Sequence, residues 1–327
     1  MKRRTWISAC VFLFLCIACF IFTYPRLKRE HSPSVPSDVV QPFDPADFNG
    51  QRALQEVRDF IAIGPRPSGS QGARNAAQYL EKRLLDLGVE TIIDEFNDLT
   101  PSGETTFRNV IGVISGKNEG VIILVSHYDT KSGISADFAG ANDSGSSTGL
   151  LLEMARLLRQ SAAMRQDIVI ALLDGEECMK SYGRHDGLHG SRYFAKTLVR
   201  NERAENVLAV IVLDMVGDRN LMVSIPRNSS SKLTSLVFDS AREEGARLKF
   251  SLATTSILDD HVPFLHAGMP AIDLIDFEFG SAPGKNDYWH TDEDTLDKLS
   301  AESLEIVGRV LVRVLNKLTR TSRMNRQ

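Results

Sequence analysis

The sequence predicts an α/β fold of three layers (α/β/α), with a largely parallel, mixed central sheet. Three observations carry that expectation. Runs such as "VIILVS", "DIVIALLD" and "VLAVIVLD" are apolar without alternation, as strands buried on both faces are. Between them stand segments with apolar residues at helical spacing, "STGLLLEMARLLRQ" and "SSKLTSLVFDSAREEG" among them. Alternation of the two kinds of segment covers both faces of a parallel sheet with helices. The chain has 327 residues, 43% of them hydrophobic, which suffices for one large domain.

The elements follow in order. "MKRR" precedes an uncharged run from Trp6 to Tyr24, close to the ~20 residues that span a bilayer core. Residues 1–29 therefore read as a signal-anchor or transmembrane helix, longer in its apolar part than the ~7–15 residues of a cleaved signal. "ISAC" and "CIAC" faintly resemble cleavage sites, so removal of the segment and secretion is the alternative. Basic residues flank both ends, and they leave only a weak bias for the N-terminus inside and the domain extracytoplasmic. Residues 30–45 are rich in Pro and Ser and read as a stalk, and residues 46–327 as the folded domain. Two helices open that domain, "ALQEVRDFIAIG" and "GARNAAQYLEKRLLDLGV", the second stopping at Gly88. Short β-branched runs come next, "VETIIDEF", "RNVIGVIS" and "GVIILVSHYD"; helices then alternate with strands as far as "SAESLEIVGRVLVRVLNKL". Three of the four cysteines lie in the apolar run; Cys178 alone belongs to the domain, which excludes an internal disulfide there. A net charge of −4 argues against a nucleic-acid partner.

Parallel sheets bind ligands at the carboxyl ends of their strands. Here "VIILVS" ends in His127, "DIVIALLD" runs into Glu176 and Glu177, and "VLAVIVLD" ends in Asp214. Asp143 sits in the glycine-rich "AGAND", just before a helix, and His290 follows Trp289 late in the chain. Any one of these acids alone would pass as a helix cap or turn former. Gathered at one sheet edge, they carry more negative charge than a protein tolerates without a cation. Histidine and carboxylate ligands without thiolate suit a borderline metal such as zinc, with a position left open for substrate.

The motifs "SHYDTK", "GANDSGSSTGLLLEMARLL", "LLDGEECMKSYGRHDGLHGSR", "VLDMVGD", "DDHVPFLHAGMPAIDLI" and "WHTDEDTLDKL" carry a resemblance. The chain resembles the aminopeptidase-type zinc exopeptidases, and among them the glutaminyl cyclases, from about Phe60 to the last helix. The long interval between the paired glutamates and "HGSR" is the most cyclase-like signal. The resemblance implies that Asp143, Glu177 and His290 bind one zinc ion while Glu176 carries protons. Asp214, with Asp259, would hydrogen-bond the reacting nitrogen, and Trp289 and Tyr182 would line the pocket for peptide or protein N-termini. The expected reaction is cyclisation of N-terminal glutamine to pyroglutamate with release of ammonia.

The same residues also suit an aminopeptidase. Glu176 would then activate a water, and a second zinc would bind His127 and Asp214 with Asp143 shared between the ions. The loop "GANDSGSSTG" resembles the peptidase version more than the cyclase one. There are departures from the cyclase pattern as well. Tyr182 stands where a tryptophan is expected, Asp273 where animal cyclases carry histidine, and Asp218 where they carry a small residue. A membrane-tethered binding protein with a dead site is a poorer reading, because Glu176 and every proposed ligand are present.

Overall fold

Among the described residues, eight strands form one mixed sheet. The structure is a computed structural model that describes residues 43–117, 120–160 and 164–321. The apolar run and nearly all of the expected stalk lie outside these residues. Among the described residues, no helix is long and apolar enough to cross a membrane.

Strands β3 (Val121–His127), β4 (Asp167–Leu173), β5 (Val207–Asp214) and β8 (Ala271–Ile275) make the parallel centre. A long antiparallel hairpin, β1 (Glu90–Thr100) and β2 (Gly103–Ile114), flanks it through β2 and β4. On the other side lie two three-residue strands, β6 (Val223–Ile225) and β7 (Phe250–Leu252). The expected largely parallel, mixed sheet is thus present. Two details differ. The hairpin strands are 11 and 12 residues long rather than short, because β1 needs no second buried face and continues through exposed polar positions. Strands β6 to β8 escape a reading by apolar runs: two are too brief, and β8 carries Asp273 at its centre.

Seven α-helices flank the sheet among the described residues: α1 (Gly50–Ile61), α2 (Gln71–Asp86), α3 (Ser147–Arg159), α4 (His189–Arg200), α5 (Ser231–Glu243), α6 (His261–His266) and α7 (Ala301–Thr321). Local chemistry sets their starts. Asn49 caps α1 by accepting from Arg52 N at 2.9 Å, and Ser70 caps α2 by accepting from Ala73 N at 3.0 Å. Helices α1, α3 and α7 pack together over one face, with α5 against α7; α4 and α6 pack together and against the sheet. Alternate strand residues feed the larger core: Ile122 and Leu124, Ile168 and Ile170, Ile211 and Leu213 join Leu150, Met154 and Leu311. Ile123, Val125, Val169 and Ala171 are equally buried on the opposite face. Helices α1 and α3 approach so closely that a Cβ on Gly149 would lie 2.7 Å from Val57 N.

This architecture brings several carboxyl ends to one edge. His127 pairs in register with Leu173, so the turn carrying Asp174 to Glu177 leaves β4 beside it. Asp214 ends β5 next to Ile275 of β8.

Candidate metal and active site

Two groups of potential metal ligands share Asp143: His127, Asp143 and Asp214 on one side, and Asp143, Glu177 and His290 on the other. In the first, His127 Nε2 lies 3.1 Å from Asp143 Oδ1 and 3.3 Å from Asp214 Oδ1, yet neither ring nitrogen of His127 makes a hydrogen bond. In the second, His290 Nε2 lies 2.8 Å from Glu177 Oε1 and 3.2 Å from Asp143 Oδ2. Glu177 Oε2 and Asp214 Oδ1 are buried without a hydrogen-bond partner. Buried polar atoms in this number, converging from histidine and carboxylate, form a donor set suited to zinc.

Asp143 is held by its loop. Gly140 adopts a left-handed φ of 52°, and a Cβ there would lie 2.0 Å from the Asp143 carbonyl oxygen, so only glycine closes this turn. Asp294 then clamps the loop, its carboxylate accepting from Asn142 N at 2.7 Å and Asp143 N at 3.1 Å. Burial raises the Asp294 pKa to about 8, with the Asp143 carboxylate adding to the effect. For Asp143 itself burial also pushes upward, but His127 and His290 outweigh it and hold the carboxyl below its usual range. The buried Arg66 guanidinium braces the same region by donating to the Tyr128 and Ala139 carbonyls at 2.8 and 2.7 Å.

The adjacent glutamates diverge. Asp129 accepts from both of their backbone N–H groups at 3.2 Å, fixing the turn, and also lies 3.4 Å from His127 Nδ1. From that turn Glu177 reaches His290, with the Lys131 ammonium 3.4 Å from its other oxygen. Glu176 instead accepts from the Tyr182 hydroxyl at 2.8 Å. Burial raises the Glu176 pKa well above the usual carboxylate range; His127 opposes this, while Asp259, Glu177 and Asp260 reinforce it. A carboxyl so perturbed is suited to carrying protons.

Tyr182 owes its position to the long interval after Glu177. Within it the Asp186 carboxylate accepts from Met179, Lys180 and Ser181 N at 2.5, 2.9 and 3.0 Å, folding the segment into a knot. The expected pocket residue Tyr182 therefore touches Glu176 directly. Trp289 stacks on His290 with ring centroids 4.0 Å apart and meets Phe277 edge-on, while His290 itself takes a left-handed φ of 56°.

The remaining expected residues divide. Asp214 is buried in the inner group. Asp259 is buried and within electrostatic reach of Asp214 and Glu176, but it also groups with His261 and Asp273. Asp218 takes no part, since its carboxylate accepts from Asn220 N at 3.2 Å and shapes a turn. Cys178 is buried with a free thiol. Sequence reasoning assigned no task to Asp129, Asp294, Arg66 or Lys131. Asp129 and Asp294 stood inside the quoted motifs "SHYDTK" and "WHTDEDTLDKL", which was the available signal.

The family described as Peptidase family M28 matches residues 109–315, well over half of the chain. A glutaminyl-peptide cyclotransferase of Drosophila melanogaster is 26% identical over 324 residues, covering 90% of this chain and 88% of its own. The crystal structure of a glutaminyl cyclase from an Acidobacteriales bacterium is 33% identical, with a TM-score of 0.80 over 89% of this chain and all of that one. A Zn-dependent exopeptidase from Parabacteroides distasonis is 25% identical, with a TM-score of 0.71 over 85% of this chain and 99% of that one. The chain belongs to peptidase family M28, in the branch it shares with the glutaminyl cyclases.

Proposed function

We propose that the protein is a zinc-dependent glutaminyl-peptide cyclotransferase, closing N-terminal glutamine to pyroglutamate with loss of ammonia. The observation that carries this reading is the knotted segment after Glu177, which sets the Tyr182 hydroxyl on Glu176 and walls the site on that side. Similarity to glutaminyl cyclases supports it. The α-amine nitrogen attacks the side-chain amide carbon of the same residue, so positioning supplies much of the catalysis. Glu176 accepts a proton from that amine and returns it to the amide nitrogen, which leaves as ammonia. Asp214 accepts a hydrogen bond from the reacting amine, and Trp289 supplies an apolar wall for the glutamine methylenes. Asp143, Glu177 and His290 would hold zinc, whose Lewis acidity would favour charge on the amide oxygen. The apolar run of residues 6–24 supports tethering of this domain to a membrane.

One observation favours a second reading, an aminopeptidase: the inner group His127 and Asp214 also converges on Asp143, as a two-metal site requires. The products separate the two. Incubated with Gln-initiated and Leu-initiated peptides, the protein is expected to release ammonia from the former with every peptide bond intact. Release of free leucine without ammonia would overturn the cyclase reading and leave the ligand groups standing.

A further inference from the structure

A third cluster lies at the junction of α6 and β8 and is separate from the two groups on Asp143. Asp259 and His261 stand at the entry to α6, and Asp273 at the centre of β8. All three are buried, His261 and Asp273 with no measurable exposure, and each offers a ligand atom within 4.8 Å of the others. Neither ring nitrogen of His261 and neither carboxylate oxygen of Asp273 has a hydrogen-bond partner. Leaving such groups unsatisfied costs about 1–3 kcal/mol each, so a buried imidazole and a buried carboxylate side by side, both without partners, call for an occupant.

The spacing identifies its kind. His261 Nδ1 lies 3.9 Å from Asp273 Oδ2, too far for a hydrogen bond. Two donors bound tetrahedrally to one zinc at about 2.0–2.2 Å each lie about 3.4 Å apart, so this pair needs to close by about half an ångström to share an ion. Charge points the same way. Asp273 faces Asp259, Asp214 and Asp260, with His127 as the cationic group acting on it. One imidazole with two carboxylates suits a borderline divalent ion better than calcium, which takes oxygen ligands.

We propose that Asp259, His261 and Asp273 bind a divalent cation of the zinc type, in addition to any metal held on Asp143. The ion ties α6 to β8 and holds Asp259, whose charge acts on Glu176. The inference is independent of whether the enzyme cyclises or hydrolyses.

The test uses the full chain, loaded with zinc and dialysed. Elemental analysis is combined with anomalous diffraction at the zinc edge. The expected result is an anomalous peak bounded by the three side chains, and one zinc equivalent fewer in Asp273→Asn and His261→Asn than in the parent. The peak on Asp143 persists in both variants. If one variant does not fold, the other reads the same loss, and the parent crystal needs neither. A zinc-loaded parent without a peak between these residues, or folded variants with an undiminished count, overturns the proposal.

Discussion

On one side of Asp143, His127 and Asp214 end the neighbouring strands β3 and β5 and are almost wholly buried. On the other, Glu177 and His290 stand 113 residues apart, on a turn after β4 and a loop before α7, and the His290 side chain keeps 17% of its surface. The inner group is set by sheet register and cannot move without disturbing the core. The outer group is assembled from loops that other side chains brace: Asp129 for the glutamate turn, Asp294 for Asp143, and Trp289 for His290. The difference teaches where substrate can act. The outer side is the more open, His290 keeping 17% of its side-chain surface against 9% for Asp214, and Trp289 stacks on His290 there while Tyr182 bonds Glu176.

The largest expected effect breaks this comparison or sustains it. His290→Ala should lower kcat/KM for cyclisation by about 10³-fold, since it removes a donor of the electrophilic site. His127→Ala should cost only about 10–100-fold, as the loss of a supporting partner does. Parallel steady-state kinetics on the two variants provide the check; equal losses would mean that the inner group is a second working metal site.

A smaller effect sharpens the comparison. Tyr182→Phe keeps the aromatic wall and deletes the hydroxyl bonded to Glu176. One hydrogen bond of about 0.5–1.5 kcal/mol predicts a fall in kcat of about two- to tenfold, with zinc content unchanged. Kinetics indistinguishable from the parent would reduce Tyr182 to a steric wall.

Much of the fold was legible because β3, β4 and β5 are buried on both faces and write that burial as unbroken apolar runs. β8 was not, since Asp273 interrupts it, and the six residues of α6 include Pro263 and are too few for a helical period. The ligand residues were legible for the same reason as the strands: acids and histidine at strand ends stand out against the apolar runs. Their supports were not. Asp294 acts on backbone 151 and 152 residues away, and Asp129 acts on a turn almost 50 residues on. No local pattern encodes such a pairing. The contact between Tyr182 and Glu176 depends on how Asp186 folds the intervening segment, which spacing alone does not reveal.

The central claim is that neighbouring glutamates divide the work, Glu177 belonging to the ligand group and Glu176 carrying protons. Zinc content and ammonia release, measured together on Glu176→Gln and Glu177→Gln, test it most directly. The account predicts that Glu176→Gln keeps its zinc while ammonia release from a Gln-initiated peptide falls by about 10²–10⁴-fold, and that Glu177→Gln loses zinc and activity together. A Glu176→Gln protein that loses zinc as fully as Glu177→Gln, or that still turns over at the parent rate, would contradict it.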